Sequence, residues 1–292
     1  MKKLFLLVFL AAAVLLGACE KEVTGIKLPE SDAKLVVSSF ISPQDTFWRV
    51  ALNRSVPTLG ERGPWATGVA GALVTVTDGD RIATLAHQRD DLYELPTENF
   101  PVVAGRTYTL RVVAPDGETV EAACTVPAAL GEVTALVIDS ARQADDPRYQ
   151  YFLRLSWIDA GGQENYYRLA GELRREWNEV PDNAPPTLFP VPINWEGETF
   201  LEDRGRDGDI LYSPKGNLWL MGPGSGTNVR TYLYAFLLHT DRHYYQYHLS
   251  VRGANRSQDN PFAEPAPVYS NVTGGLGIFA AYNRLTLFRQ LE

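Results

Sequence analysis

The stretch 107–126, TYTLRVVAPDGETVEAACTV, decides how the rest of the chain is read. Tyr108, Leu110 and Val112 alternate with Thr107, Thr109 and Arg111, the period of a strand buried on one face. Pro115-Asp116-Gly117 supplies turn chemistry and Glu118 to Val126 returns with the same alternation, so the stretch is a β-hairpin. Cys124 falls on the apolar set with Val120, Ala122 and Val126, which makes it a small core residue rather than a reactive thiol. Working outward, Lys34 to Ile41 and Thr46 to Asn53 are β-rich runs, and Ala72 to Thr77 joins Arg81 to Ala86 through Asp78-Gly79-Asp80. About seven short strands in under about a hundred residues predict an immunoglobulin-like β-sandwich over residues 34–127.

A break at Pro127 to Gly131 precedes a second, aromatic-rich part, residues 132–292, which reads as another β-sandwich-like domain with one helix. Tyr151, Leu153, Leu155 and Trp157 alternate with Gln150, Phe152, Arg154 and Ser156, and Tyr167, Leu169, Gly171 and Leu173 with Tyr166, Arg168, Ala170 and Glu172. Two adjacent strands of one sheet fit this, turned by Asp159 to Gly162. Five prolines between Pro181 and Pro192 forbid a central strand and predict an extended loop. Val229 to Leu238 is apolar or aromatic on both faces, as in a central strand. Thr240 then offers an N-cap, and Tyr244, Tyr247, His248 and Val251 mark an amphipathic helix near 240–253 that ends about Gly253. Val268 onward predicts two or three final strands broken at Gly274-Gly275.

The fold class is therefore mainly β, and composition agrees. The chain has 292 residues, 45% hydrophobic and 21% charged, enough to bury a core and too apolar for wholesale disorder. Its 27 Lys plus Arg against 35 Asp plus Glu give a net charge of -8 and a poor surface for nucleic acid.

The first residues give an address. Lys2 and Lys3, an apolar run from Leu4 to Leu16 and then Gly17-Ala18-Cys19 read as a secretory signal peptide over 1–18. The apolar run is shorter than the ~18 residues a membrane span needs. Leu16-Gly17-Ala18-Cys19 looks like a bacterial lipobox, in which Cys19 carries the lipid after cleavage. Residues 19–33 follow as a polar tether that begins Glu20-Lys21-Glu22. A diacylglyceryl anchor carries at least two acyl chains, each CH₂ contributing about 0.8 kcal/mol, so attachment to the membrane is expected to be stable.

The sequence carries no constellation that announces a reaction, and no enzymatic activity or cofactor is expected. Gly222 to Gly226 matches neither a nucleophile elbow nor a P-loop, and the chain has 4 His. Asp203, Asp207 and Asp209, with Gly205 and Gly208, put oxygen ligands on one loop that a hard cation such as Ca²⁺ favours. Arg204 and Arg206 compete there, so a solvated acidic loop with local ion pairs is the stronger reading. Trp177, Trp195, Tyr212 and Trp219, with Phe189, sit in or beside loops where flat side chains could stack on a saccharide or peptide ligand, although core packing accounts equally well for most aromatics.

Leu35 to Pro43, Val126-Pro127, Asn165 to Leu169, Asn260 to Pro265 and above all Tyr269 to Tyr282 resemble the Bacteroidota lipoprotein family called domain of unknown function 4249. The resemblance covers nearly all of the chain beyond Cys19. It implies a lipid-anchored, surface-exposed protein of the outer membrane, often encoded beside a TonB-dependent receptor, and it supplies no catalytic residue to carry over. A structural or adhesive surface role is the alternative, and a hydrolase is third. The closing motif, with Gly274, Gly275 and Gly277, reads as scaffolding that seats the last strands against the helix.

Overall fold

The computed structural model describes residues 32–56, 67–131, 133–142, 149–177, 189–220, 229–258 and 266–291. Cys19, the signal peptide and nearly all of the tether lie outside them, as does Asn260 to Pro265. The chain is mainly β. Among the described residues no helix is long and apolar enough to cross a membrane.

Seven strands build the first half: β1 (Leu35–Ile41), β2 (Phe47–Arg54), β3 (Leu73–Thr77), β4 (Ile82–Arg89), β5 (Leu92–Pro96), β6 (Thr107–Val113) and β7 (Thr119–Thr125). The β6–β7 hairpin pairs Tyr108 with Cys124 and Val112 with Val120, as its alternation requires. Strand β4 belongs to both layers, pairing through Leu85 with β3 and through His87 with β5, with a register shift between His87 and Arg89. The core between the layers holds Trp48, Tyr93, Tyr108 and Leu110, each at most 1% exposed. The Trp48 indole N–H donates to the Phe100 carbonyl at 2.7 Å, which lets a polar atom lie in that core.

The second half stacks two sheets, one separate and one continuous with the first half through its last strand. One contains β8 (Val133–Arg142), β9 (Tyr149–Ile158), β12 (Asn194–Trp195), β14 (Ile210–Tyr212) and β15 (Gly216–Leu218). The other contains β10 (Tyr166–Trp177), β11 (Phe189–Pro192), β13 (Phe200–Glu202), β16 (Val229–Thr240) and β17 (Leu276–Leu291). Strands β9 and β10 were expected side by side, yet they lie in different sheets. Their alternation has another cause: Leu153, Leu155 and Trp157 face Tyr167, Leu169 and Leu173 across one core. The proline-rich Phe189–Pro192 is an edge strand paired with β10, where missing N–H groups cost least. Strand β16 is central, between β10 and β17.

The helix α1 (Arg242–Gln258) differs from its sequence reading at both ends. Thr240 stays in β16, and Asp241 is the cap, its Oδ1 accepting the Tyr244 N–H at 2.7 Å. Its other oxygen accepts the Ala281 N–H, which staples the helix start to β17. Gly253 does not end the helix, which continues to Gln258 despite the roughly 1 kcal/mol a helical glycine costs.

The closing segment is one 16-residue strand rather than two or three. It runs parallel to β1, with Val36 opposite Leu276 and Ile41 opposite Ala281, and then antiparallel to β16, with Tyr282 opposite Thr240 and Leu291 opposite Thr231. Phe279 and Ala281 thereby enter the first core, Leu287 and Leu291 pack on the second, and Ile278 and Ala280 lie under α1. The glycines before it serve β1 and β7 rather than the helix: a Cβ at Gly275 would meet the Leu35 carbonyl oxygen at 2.6 Å. The described residues from Ala33 onward pack as one compact unit.

Candidate functional site

A groove opens where α1 crosses the back of the β10–β16–β17 sheet. The register sets Arg168 opposite Leu238 and Leu238 opposite Arg284, so two arginines flank a leucine in one row. Strand spacing puts their Cα atoms roughly 10 Å apart. One residue pair further along, Ala170 faces Phe236, and the small side chain leaves a floor. Tyr244 and His248, one turn apart on α1, form a wall with Phe40 of β1 and Tyr282 of β17. The cavity holds about 360 Å³.

Its chemistry is set by the two guanidinium groups. Arg168 donates to the Tyr244 hydroxyl and lies 5.2 Å from the Phe200 ring centroid and 5.7 Å from that of Tyr244. Arg284 lies 5.8 Å from the Phe236 centroid, and its buried Nε has no hydrogen-bond partner. Neither arginine is ion-paired to a carboxylate among the described residues, and the lining contains no Asp or Glu. Asp45 feels the Arg284 charge without forming an ion pair with it, and both its oxygens are held by the Tyr282 hydroxyl at 3.2 Å. Glu172, on the same face of β10, is paired with Arg174. Burial, and secondarily Arg168, push the His248 imidazole down to about 4, so it is neutral at pH 7. Burial raises the Tyr244 phenol, which stays protonated. The lining contains no Ser, Thr or Cys.

The acidic loop is a different place. Asp203 and Asp207 come together with Asp159, carboxylate oxygens within 4.8 Å of one another, whereas Asp209 is exposed outside the cluster. Most of these oxygens already accept hydrogen bonds. Tyr167 O–H and Gly208 N–H donate to the two oxygens of Asp159, Gly162 N–H donates to Asp207, and Asn165 N–H and Nδ2–H both donate to Oδ2 of Asp203. Asn165 also donates to the Ala160 carbonyl at 2.6 Å and holds its Oδ1 2.9 Å from Nε2 of His239. The other His239 nitrogen, Nδ1, lies 3.0 Å from the Ala128 carbonyl oxygen. The arrangement pins the 159–165 and 203–208 turns to β16 and to the segment after β7. As a cation site it would have few oxygens left for the six to eight that Ca²⁺ takes.

The aromatic residues singled out from sequence do not form one surface. Tyr212 and Trp219 are exposed on segments that pair with opposite ends of β9, Trp195 packs partly on the second core, and no ring contact joins the three. The side chains of Trp177 and Phe189 lie outside the described residues. Sequence reasoning passed over Arg168, Arg284 and Phe236. The one signal for them was that Val229 to Leu238 is apolar on both faces, which requires a cover on the side away from the core. His243 is half-buried with Nδ1 2.7 Å from the Tyr269 hydroxyl oxygen.

Fold and groove together define a mainly β protein with two sheet-on-sheet cores joined by a shared strand, and an arginine-lined cavity beneath its helix. Residues 21–287 match the family described as Domain of unknown function (DUF4249), and the chain belongs to that family. No curated protein matches it.

Proposed function

We propose that this chain is an outer-membrane lipoprotein, anchored through Cys19 and surface-exposed, that serves as a binding or accessory component beside a TonB-dependent receptor in substrate uptake. The observation that carries it is the run from Lys2 to Cys19, in which a basic start, an apolar stretch and a Leu-Gly-Ala-Cys end coincide. The polar segment after Cys19 supports display at a distance from the membrane. The groove supports a binding role, because its lining offers donors and flat apolar walls.

The test is native extraction in mild detergent followed by identification of what co-purifies, beside a Cys19→Ala variant. The reading expects a stoichiometric TonB-dependent receptor and loss of membrane retention in the variant. A lone lipoprotein turns the role to a structural or adhesive one, and a variant that still partitions with membranes removes the anchor.

A further inference from the structure

We propose that the groove between α1 and the β10–β16–β17 sheet binds a small organic carboxylate with an aromatic body, its carboxylate seated on Arg284 and its ring between Phe236 and the helix aromatics. The inference deepens the binding role above by naming a ligand class, and rests on that role alone, not on the anchor or the receptor.

Three observations converge on a negative ligand. The chain carries 35 Asp and Glu against 27 Lys and Arg, yet this cavity is lined by two arginines and no acid. Glu172 is paired with Arg174, and Asp45 is held by the Tyr282 hydroxyl and attracts Arg284 without forming an ion pair with it. The Nε of Arg284 is buried without an acceptor, a state that costs free energy until an acceptor arrives. Arg168 is partly committed to the structure, since it donates to Tyr244 and lies against Phe200. That leaves Arg284 as the residue free to receive the anion, and a guanidinium fork matches a planar carboxylate in two parallel hydrogen bonds.

The rest of the lining selects the body of the ligand. Phe40, Phe236, Tyr244 and Tyr282 present rings, Leu238 and Ala170 make the floor, and His248 is uncharged. A volume of about 360 Å³ is at the small end of the roughly 300–1,000 Å³ of ligand sites, room for one or two rings rather than an oligosaccharide.

The experiment uses the full-length protein in a non-ionic maltoside detergent, with empty micelles as the blank. Indole-3-acetate and its neutral isostere indole-3-acetamide are titrated by calorimetry. The proposal expects saturable binding of the acid, at least tenfold tighter than the amide, and weaker binding of the acid as salt rises. Arg284→Met should weaken the acid at least tenfold and leave the amide unchanged. Ala170→Phe fills the floor without touching a charge and should abolish binding of both, which keeps the test decisive if Arg284→Met fails to fold. Equal affinity for acid and amide, no saturable binding of the acid, or unchanged affinity in Ala170→Phe overturns the proposal. Receptor co-purification is a separate readout, so failure of the ligand class and failure of the uptake role are told apart.

Discussion

Replacing Gly277 by alanine tests how much the β1–β17 junction contributes to holding the molecule together. Gly277 lies opposite Val37 in the parallel ladder with φ of +116°, a backbone conformation that L side chains rarely adopt. A Cβ built there would stand 1.8 Å from the Val37 carbonyl oxygen and 2.8 Å from both its nitrogen and its carbonyl carbon. Non-bonded carbons settle ~3.5–4.0 Å apart, so the two strands must separate locally. The backbone strain costs ~1–3 kcal/mol. A broken ladder hydrogen bond that leaves a buried group unpaired costs ~1–3 kcal/mol more. With a middle value of about 4 kcal/mol and ~2–4 °C per kcal/mol for a unit of this size, the melting temperature should fall by roughly 8–16 °C. Gly79→Ala is the control, because Gly79 has φ of +93° with nothing within 4 Å of the new methyl group, so it feels the backbone strain alone. Thermal unfolding followed by far-UV circular dichroism reads both. A Gly277→Ala curve within ~2 °C of the parent, or no lower than that of Gly79→Ala, would refute the reasoning.

Three further outcomes are expected. Cys124 is 2% exposed and burial pushes its thiol well up, so in a Cys19→Ala background the single thiol should resist an aromatic disulfide reagent until denaturant unfolds the chain; fast labelling of native protein would contradict its place in the core. Burial holds His248 at about 4 and lowers His239 from 6.5, so the unfolded chain takes up protons first as pH falls. The histidine contribution to stability should therefore be full above about pH 6.5 and decline toward pH 4, opposed by Asp241, which burial raises to about 7, and the difference between parent and His248→Gln in urea titrations isolates it; equal slopes for parent and variant would count against a buried neutral imidazole. If the Asp159, Asp203 and Asp207 carboxylates serve as acceptors for the turns, neither chelator nor added calcium should move the melting temperature, and a calcium-dependent rise would make the cluster a cation site.

Alternation in the 107–126 hairpin gave both its strands and its pairing, because the partner is five residues away. The same pattern in β9 and β10 showed that each has one buried face but could not show which strand lies at its edge. Two strands facing across a core and two side by side in a sheet have identical alternation, and only pairing with β15 and β16 separates the cases. Asp159 read as a turn residue from its neighbours Gly161 and Gly162, and nothing local placed it beside Asp203, some forty positions on. The groove was hidden for a related reason. Arg168 occupies the polar side of an alternating strand, which reads as a solvated face, and becomes a cavity wall only because α1 is laid across that side by its Asp241 cap.

Strand β17 also sets an order of events for a newly made chain. The edge of β1 that pairs with Val36↔Leu276 onward has no partner until residues some 240 positions later are available. During that interval its N–H and C=O groups form an open edge, the kind that captures strands of other chains. Closing so large a loop is slow compared with local hairpins such as β6–β7. Because the same late strand completes the first core, borders the second and underlies the helix, final tightening of all three should occur in one step, and a chain interrupted before it would expose an unfinished sheet rather than a finished half.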